Sequence, residues 1–113
     1  MRLELVLASD QVKPGGDIAG HIDVAEGGAS RSLTLTITFN EKTRDYSATP
    51  YSSGFVVHEG DVKAGESYTF SFTLPAEAPT SAKTKNGELY WELEVKSDEQ
   101  GLDTHAKQRL QVG

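Results

Sequence analysis

Apolar and polar positions alternate with a period of two along most of this chain. Leu3, Leu5 and Leu7 alternate with Arg2, Glu4 and Val6, and Ile18, Gly20, Ile22 and Val24 alternate with Asp17, Ala19, His21 and Asp23. Leu33, Leu35, Ile37 and Phe39 interleave with Thr34, Thr36 and Thr38; Tyr68, Phe70, Phe72 and Leu74 interleave with Thr69, Ser71 and Thr73. Leu89, Trp91, Leu93 and Val95 share one side of a run whose other side is Tyr90, Glu92, Glu94 and Lys96. Successive side chains on a strand point to opposite faces, so each run predicts a strand with one row inward and one row toward water.

Two weaker strands complete the pattern. Phe55 to Glu59 is short and β-branched, and residues 104–112 put Thr104, Ala106, Gln108, Leu110 and Val112 on one side. Residues 40–54 are polar and contain Pro50, Tyr46 and Tyr51. They read as a long connection with at most one edge strand. The best helical candidate, residues 75–85, holds Pro75 and Pro79 and has no apolar stripe. Proline lacks the donor that a helix interior needs, so no helix is expected there.

Turn chemistry punctuates these runs. Lys13-Pro14-Gly15-Gly16 carries proline then glycine, the pair a type II turn prefers, because proline presets the first central φ and glycine supplies a positive second one. Ala64-Gly65 occupies the same place before the strand at 67–74. Glu26-Gly27-Gly28 and Lys85-Asn86-Gly87 mark further reversals. About seven alternating strands separated by turns imply two packed antiparallel sheets. A lone sheet would leave every apolar row in water, whereas two sheets bury those rows across about 10 Å. The expected fold is an all-β, immunoglobulin-like antiparallel sandwich with Trp91, Phe70, Phe72 and Phe39 as the large pieces of its core.

Composition narrows what such a sandwich does. The 113 residues suit a single domain spanning 1–113. With no cysteine, disulfides, thiolate nucleophiles and cysteine-ligated zinc are excluded. Seventeen acidic residues against 11 basic ones give a net charge of -6, which disfavours nucleic acid and anionic lipid as partners. No apolar run approaches the roughly 20 residues that cross a bilayer, and the N-terminus lacks a secretory cleavage pattern. The expected location is the cytoplasm, without membrane insertion.

Four segments in order carry a family likeness: VKPGGDIAGHIDV at 12–24, SLTLTITF at 32–39, AGESYTFSFTLPAEAPTSAK at 64–83 and LYWELEVKSDEQGLDTHAKQRLQV at 89–112. Together they resemble the arrestin-like superfamily, above all its bacterial sporulation-control-type branch. That family pattern has a PG-x-x-x-x-G-x-(I/V)-x-(I/V) strand, an F-x-F-x-LP-x-x-x-P-(T/S) strand and loop, and a Y-x-(I/L)-x-V-(K/R) strand. The likeness runs from about residue 2 to 112 and is poor between 40 and 54. It implies an arrestin-like fold and a habit of adaptor-like protein binding through exposed strands and loops. Family members usually carry two sandwiches in tandem, and this chain has length for one. No basic cluster matches the phosphate-sensing residues of receptor-regulating arrestins, so phosphopeptide recognition does not carry over.

No catalytic constellation emerges. His21, His58 and His105 are the only histidines, and no two have short ligand spacing, so surface or structural roles are favoured over a metal site. The acidic stretch Ser97 to Asp103 lacks the alternating ligands and closing glutamate of a calcium loop and reads as a solvated turn. Glu92 and Glu94 stand two apart on an outward row, where water screens both alike. No serine sits in a G-x-S-x-G elbow, and no phosphate loop is present. The expectation is a non-enzymatic chain with no cofactor and no metal.

The candidate binding residues are Tyr46, Tyr51 and Phe55, aromatic side chains around the polar connection, since aromatic anchors commonly dominate protein interfaces. The hydroxyl rows at Thr34, Thr36, Thr38 and at Thr69, Ser71, Thr73 are ordinary solvent faces beside which an unprotected edge could accept a partner strand. The leading expectation is therefore a protein-interaction or scaffold module, with a protein partner or a second copy bound through a sheet edge. The rival is a carbohydrate- or small-ligand-binding sandwich that uses Tyr46, Tyr51 and Tyr90.

Overall fold

The computed structural model describes all residues from Met1 to Gly113 except Leu102. Its elements are β1 (Arg2–Leu7), β2 (Gln11–Val12), β3 (Asp17–Glu26), β4 (Ser32–Thr43), β5 (Ser47–Glu59), β6 (Ser67–Thr73), β7 (Ala82–Thr84), β8 (Gly87–Asp98) and β9 (Thr104–Val112). They form a three-stranded sheet, β1-β3-β6, packed on a six-stranded sheet, β2-β9-β8-β4-β5 with β7 beside β8. The fold is an all-β sandwich, as the alternation implies. Among the described residues nine strands replace the expected seven or so, because the two-residue β2 and three-residue β7 are too short to show a period. The β2–β9 pair is also parallel, the exception to an otherwise antiparallel scheme.

The core lies between the sheets. From β4 come Leu33, Leu35, Ile37 and Phe39; from β8 come Trp91, Leu93 and Val95; Leu110 and Val112 of β9 join them. The other sheet contributes Leu3, Ile18, Ile22, Val24 and Phe70. Each large core side chain contributes roughly 1.5–3 kcal/mol of transfer free energy before entropy costs. Trp91, only 1% exposed, packs on Phe39 at 5.1 Å between ring centroids. Its indole Nε1–H donates to the Pro79 carbonyl at 2.8 Å, so the one polar atom of the ring is satisfied in the core. At one end, Ser97 Oγ donates to Ser30 Oγ at 2.8 Å, and Ser30 Oγ donates to the Ser32 carbonyl. This buried pair ties the β3–β4 connection to β8.

The glycines of the 12–24 segment have distinct physical reasons. Gly15 has φ +80°, and the Gly16 amide donates to the Lys13 carbonyl at 2.8 Å, closing the expected type II turn. Gly65 repeats the geometry with φ +87° and a Glu66-to-Lys63 bond. At Gly20 the φ is ordinary, but a Cβ there would lie 2.3 Å from the Val6 carbonyl oxygen. The neighbouring strand leaves no room for a side chain.

Residues 40–54 depart from expectation. The stretch does hold an edge strand, but the connection is short: β4 continues to Thr43, β5 begins at Ser47, and the two pair as one hairpin from Lys42↔Ser47 to Ser32↔Glu59. Pro50 is tolerated because β5 is an edge strand and because the ladder shifts register between Phe39 and Glu41, near that residue. The alternation is weak in this stretch because most of β5 is exposed on both faces.

Candidate interaction surface

β5 bounds the six-stranded sheet and pairs only with β4. Its outer backbone edge is therefore unpaired along 13 residues. Natural edge strands of this length are usually blunted by lysines, bulges or prolines. Here Pro50 protects the first half, while Tyr51 to Val57 contains no charged residue.

The three sequence-chosen aromatics divide between turn and strand. Tyr46 lies between β4 and β5 and is 57% exposed. Tyr51 pairs with buried Phe39, and Phe55 pairs with buried Leu35. Residues directly opposite on paired strands share a face, so both point into the sandwich. Tyr51 meets Trp91 edge-on at 5.6 Å, and Phe55 meets Phe72 of β6 edge-on at 5.7 Å. They remain 38% and 39% exposed, because the three-stranded sheet stops at β6. No further strand closes over the inner face of β5 among the described residues.

That overhang leaves an apolar cavity of about 140 Å³ lined by Leu35, Ile37, Tyr51, Phe55, Phe72 and Leu74, with Ser53, Thr73 and Pro75 at its rim. The flank narrows at the other end of β5, where His58 stacks on Tyr68 at 4.3 Å. Tyr68 donates its hydroxyl to Glu66 Oε2 at 3.1 Å. Burial pushes the Tyr68 phenol above its ordinary 10.0, and the hydrogen bond to Glu66 and that carboxylate's charge push the same way. Val56, on the opposite face of β5, is 51% exposed. The run Phe55-Val56-Val57 is apolar at three successive positions and so does not alternate, which leaves the face of Val56 unassigned by sequence.

The remaining sequence candidates do not converge. His21 sits 3.3 Å from Asp23, His105 sits 3.4 Å from Glu94, and His58 approaches the Asp61 carbonyl at 3.1 Å. Each occupies its own neighbourhood, and among the described residues no group of three or more potential ligands gathers. In the acidic stretch, Asp103 accepts from the Glu99 amide and Glu99 accepts from Thr104, so its carboxylates staple the β8–β9 turn; Leu102 of that stretch lies outside the described residues. Glu92 and Glu94 share Lys107 at 3.9 and 3.6 Å, a screened surface network and not an acid–base pair. Tyr90 lies beneath the Arg109 guanidinium at 3.9 Å, on the face opposite buried Trp91. Tyr51 points inward, so Tyr51 and Tyr90 do not form one platform for a sugar.

No protein-family model matches the chain, and no curated protein matches it in sequence. In structure the chain is similar to the crystal structure of Spo0M, the sporulation control protein from Bacillus subtilis, with a TM-score of 0.73 at 22% identity over 98% of this chain. The fold is arrestin-like. This chain spans 48% of that protein, about half its length. Residues 40–54 make up the turn end of the β4–β5 hairpin. No helix of the described residues is long and apolar enough to cross a membrane.

Proposed function

We propose that this chain is a non-catalytic protein-interaction or scaffold module that engages another protein, or a second copy of itself, through the β5 flank of its arrestin-like sandwich. One observation carries the reading: a long edge strand, uncharged from Tyr51 to Val57, whose inward aromatics Tyr51 and Phe55 are left 38% and 39% exposed. Exposed aromatic side chains beside unpaired backbone are what strand-mediated recognition uses, with main-chain bonds giving affinity and side-chain pockets giving selectivity. The absence of a nucleophile–base–orienter set in the sequence agrees with a binding role.

Light scattering combined with affinity capture tests it. The wild-type chain is expected either to self-associate or to retain a defined protein. The double variant Tyr51→Glu/Phe55→Glu is expected to lose that association while keeping its β-sheet circular dichroism. A strictly monomeric wild type with no protein retained, or retention unchanged in the folded double variant, overturns the proposal.

A further inference from the structure

The β5 flank has a second wall. β6 is the edge of the three-stranded sheet and pairs only with β3. The Leu74 amide donates to Gly16 and the Glu66 carbonyl accepts from Val24, so the even-numbered residues of this strand turn their backbone groups toward β3. Backbone groups alternate sides along an antiparallel strand. The amides and carbonyls of Ser67, Thr69, Ser71 and Thr73 therefore face the free edge. This wall, like β5, carries unpaired backbone, but its ladder with β3 has no register shift whereas that of β5 with β4 has two, and the apolar cavity of about 140 Å³ lies beside it.

Charge separates this flank from the rest of the surface. Tyr46 to Val57 and Ser67 to Ala76 contain no Asp, Glu, Lys or Arg. These are the two longest uncharged runs in a chain of net charge -6, and they form the two walls of one flank. An occupant bearing charge would lose hydration there without gaining an ionic partner. An uncharged segment would lose nothing of the kind.

The geometry points to a specific occupant: an extended, uncharged segment of another protein that adds to β6 as a fourth strand and places one apolar side chain in the cavity between Phe55 and Leu74. Such a strand would satisfy the outward backbone groups of Ser67 to Thr73 and cover Tyr51 and Phe55 from the side the sandwich leaves open. This rests on the interaction-module reading and names where and how the partner is held.

The probe is a synthetic peptide, Thr-Val-Thr-Phe-Thr-Val-Thr, with a counterpart carrying Glu in place of the central Phe, added to the isotopically labelled chain. Amide exchange is expected to slow about tenfold or more at Thr69 and Ser71, with chemical-shift changes at Phe55 and Leu74. Burying one aromatic side chain corresponds to about tenfold or more in affinity, so the Glu-centred peptide is expected to bind at least that much more weakly. Phe55→Glu is expected to weaken binding of the Phe-centred peptide similarly, and Val56→Glu, on the other face of β5, to leave it unchanged. The peptide pair leaves the protein untouched, so the result survives if Phe55→Glu does not fold. Protection along β5 instead of β6, equal binding of both peptides, or no binding of either overturns the inference. So does a peptide-free dimer whose β6 edge is already protected, which would make a second copy the occupant. If Tyr51→Glu/Phe55→Glu abolishes protein association but no peptide protects β6, strand addition fails and the interaction module stands.

Discussion

β4 and β5 are the two arms of one hairpin, of nearly equal length, and they have opposite fates. β4 lies between β5 and β8, pairs on both sides, and buries Leu33, Leu35, Ile37 and Phe39 in strict alternation. β5 pairs on one side only and keeps most of its residues in water. Position within the sheet decides the difference more than composition does: Tyr51 and Phe55 are aromatic, pair with Phe39 and Leu35 and face the same way, yet lack a covering strand. A central strand contributes stability. An edge strand of similar length contributes less, and leaves surface free for recognition.

The largest expected effect lies on the β4 side. Leu35→Ala should destabilise by about 2–5 kcal/mol through lost transfer energy and a residual cavity, read as a lower urea midpoint. Were Leu35→Ala to cost no more than a surface change, the contrast between the arms would fail. Trp91→Phe, beneath both arms, should cost about 1–3 kcal/mol, because the Pro79 carbonyl loses its donor and the smaller ring leaves a void.

On the β5 side the expected stability effects are small. Val56→Thr should change unfolding free energy by less than about 0.5 kcal/mol; a loss like that of Leu35→Ala would mean β5 is covered in solution. Pro50→Thr should leave thermal stability similar but increase concentration-dependent association by light scattering, since it restores an amide to the edge. The smallest effect concerns the join between β5 and β6. The Tyr68 phenol is raised above 10.0 in the folded chain, so the folded state holds its proton more tightly than the unfolded one. That contribution is fully present below pH 10 and is lost as pH rises through the folded value. Stability should therefore fall more steeply above pH 10 in wild type than in Tyr68→Phe, measured by denaturant midpoints; parallel curves would disprove the coupling.

Legibility in the sequence followed the same divide. β3, β4, β6 and β8 were readable because burial on one face enforces a period of two, and the Pro14-Gly15 turn was readable because its φ demand selects glycine. β5 is readable only in part: Phe55 to Glu59 reads as a strand, but a strand with water on both faces has no reason to alternate, so its first half reads as a connection with room for one edge strand. β2 and β7 are too short for any period. Tyr46, Tyr51 and Phe55 could be named as exposed aromatics, but as part of a connection. The cavity beside them needs Phe72, from β6 in the other sheet, and Leu74, just beyond the end of that strand. That pairing of walls is a product of the sandwich and has no local signature.

The chain holds a single tryptophan, and its buried indole lies in edge-on contact with Tyr51, a residue of the uncovered flank. This gives the molecule a built-in optical gauge. Excited-state emission from that ring should shift or quench when anything settles over Tyr51, so occupancy can be followed on the native, unlabelled protein.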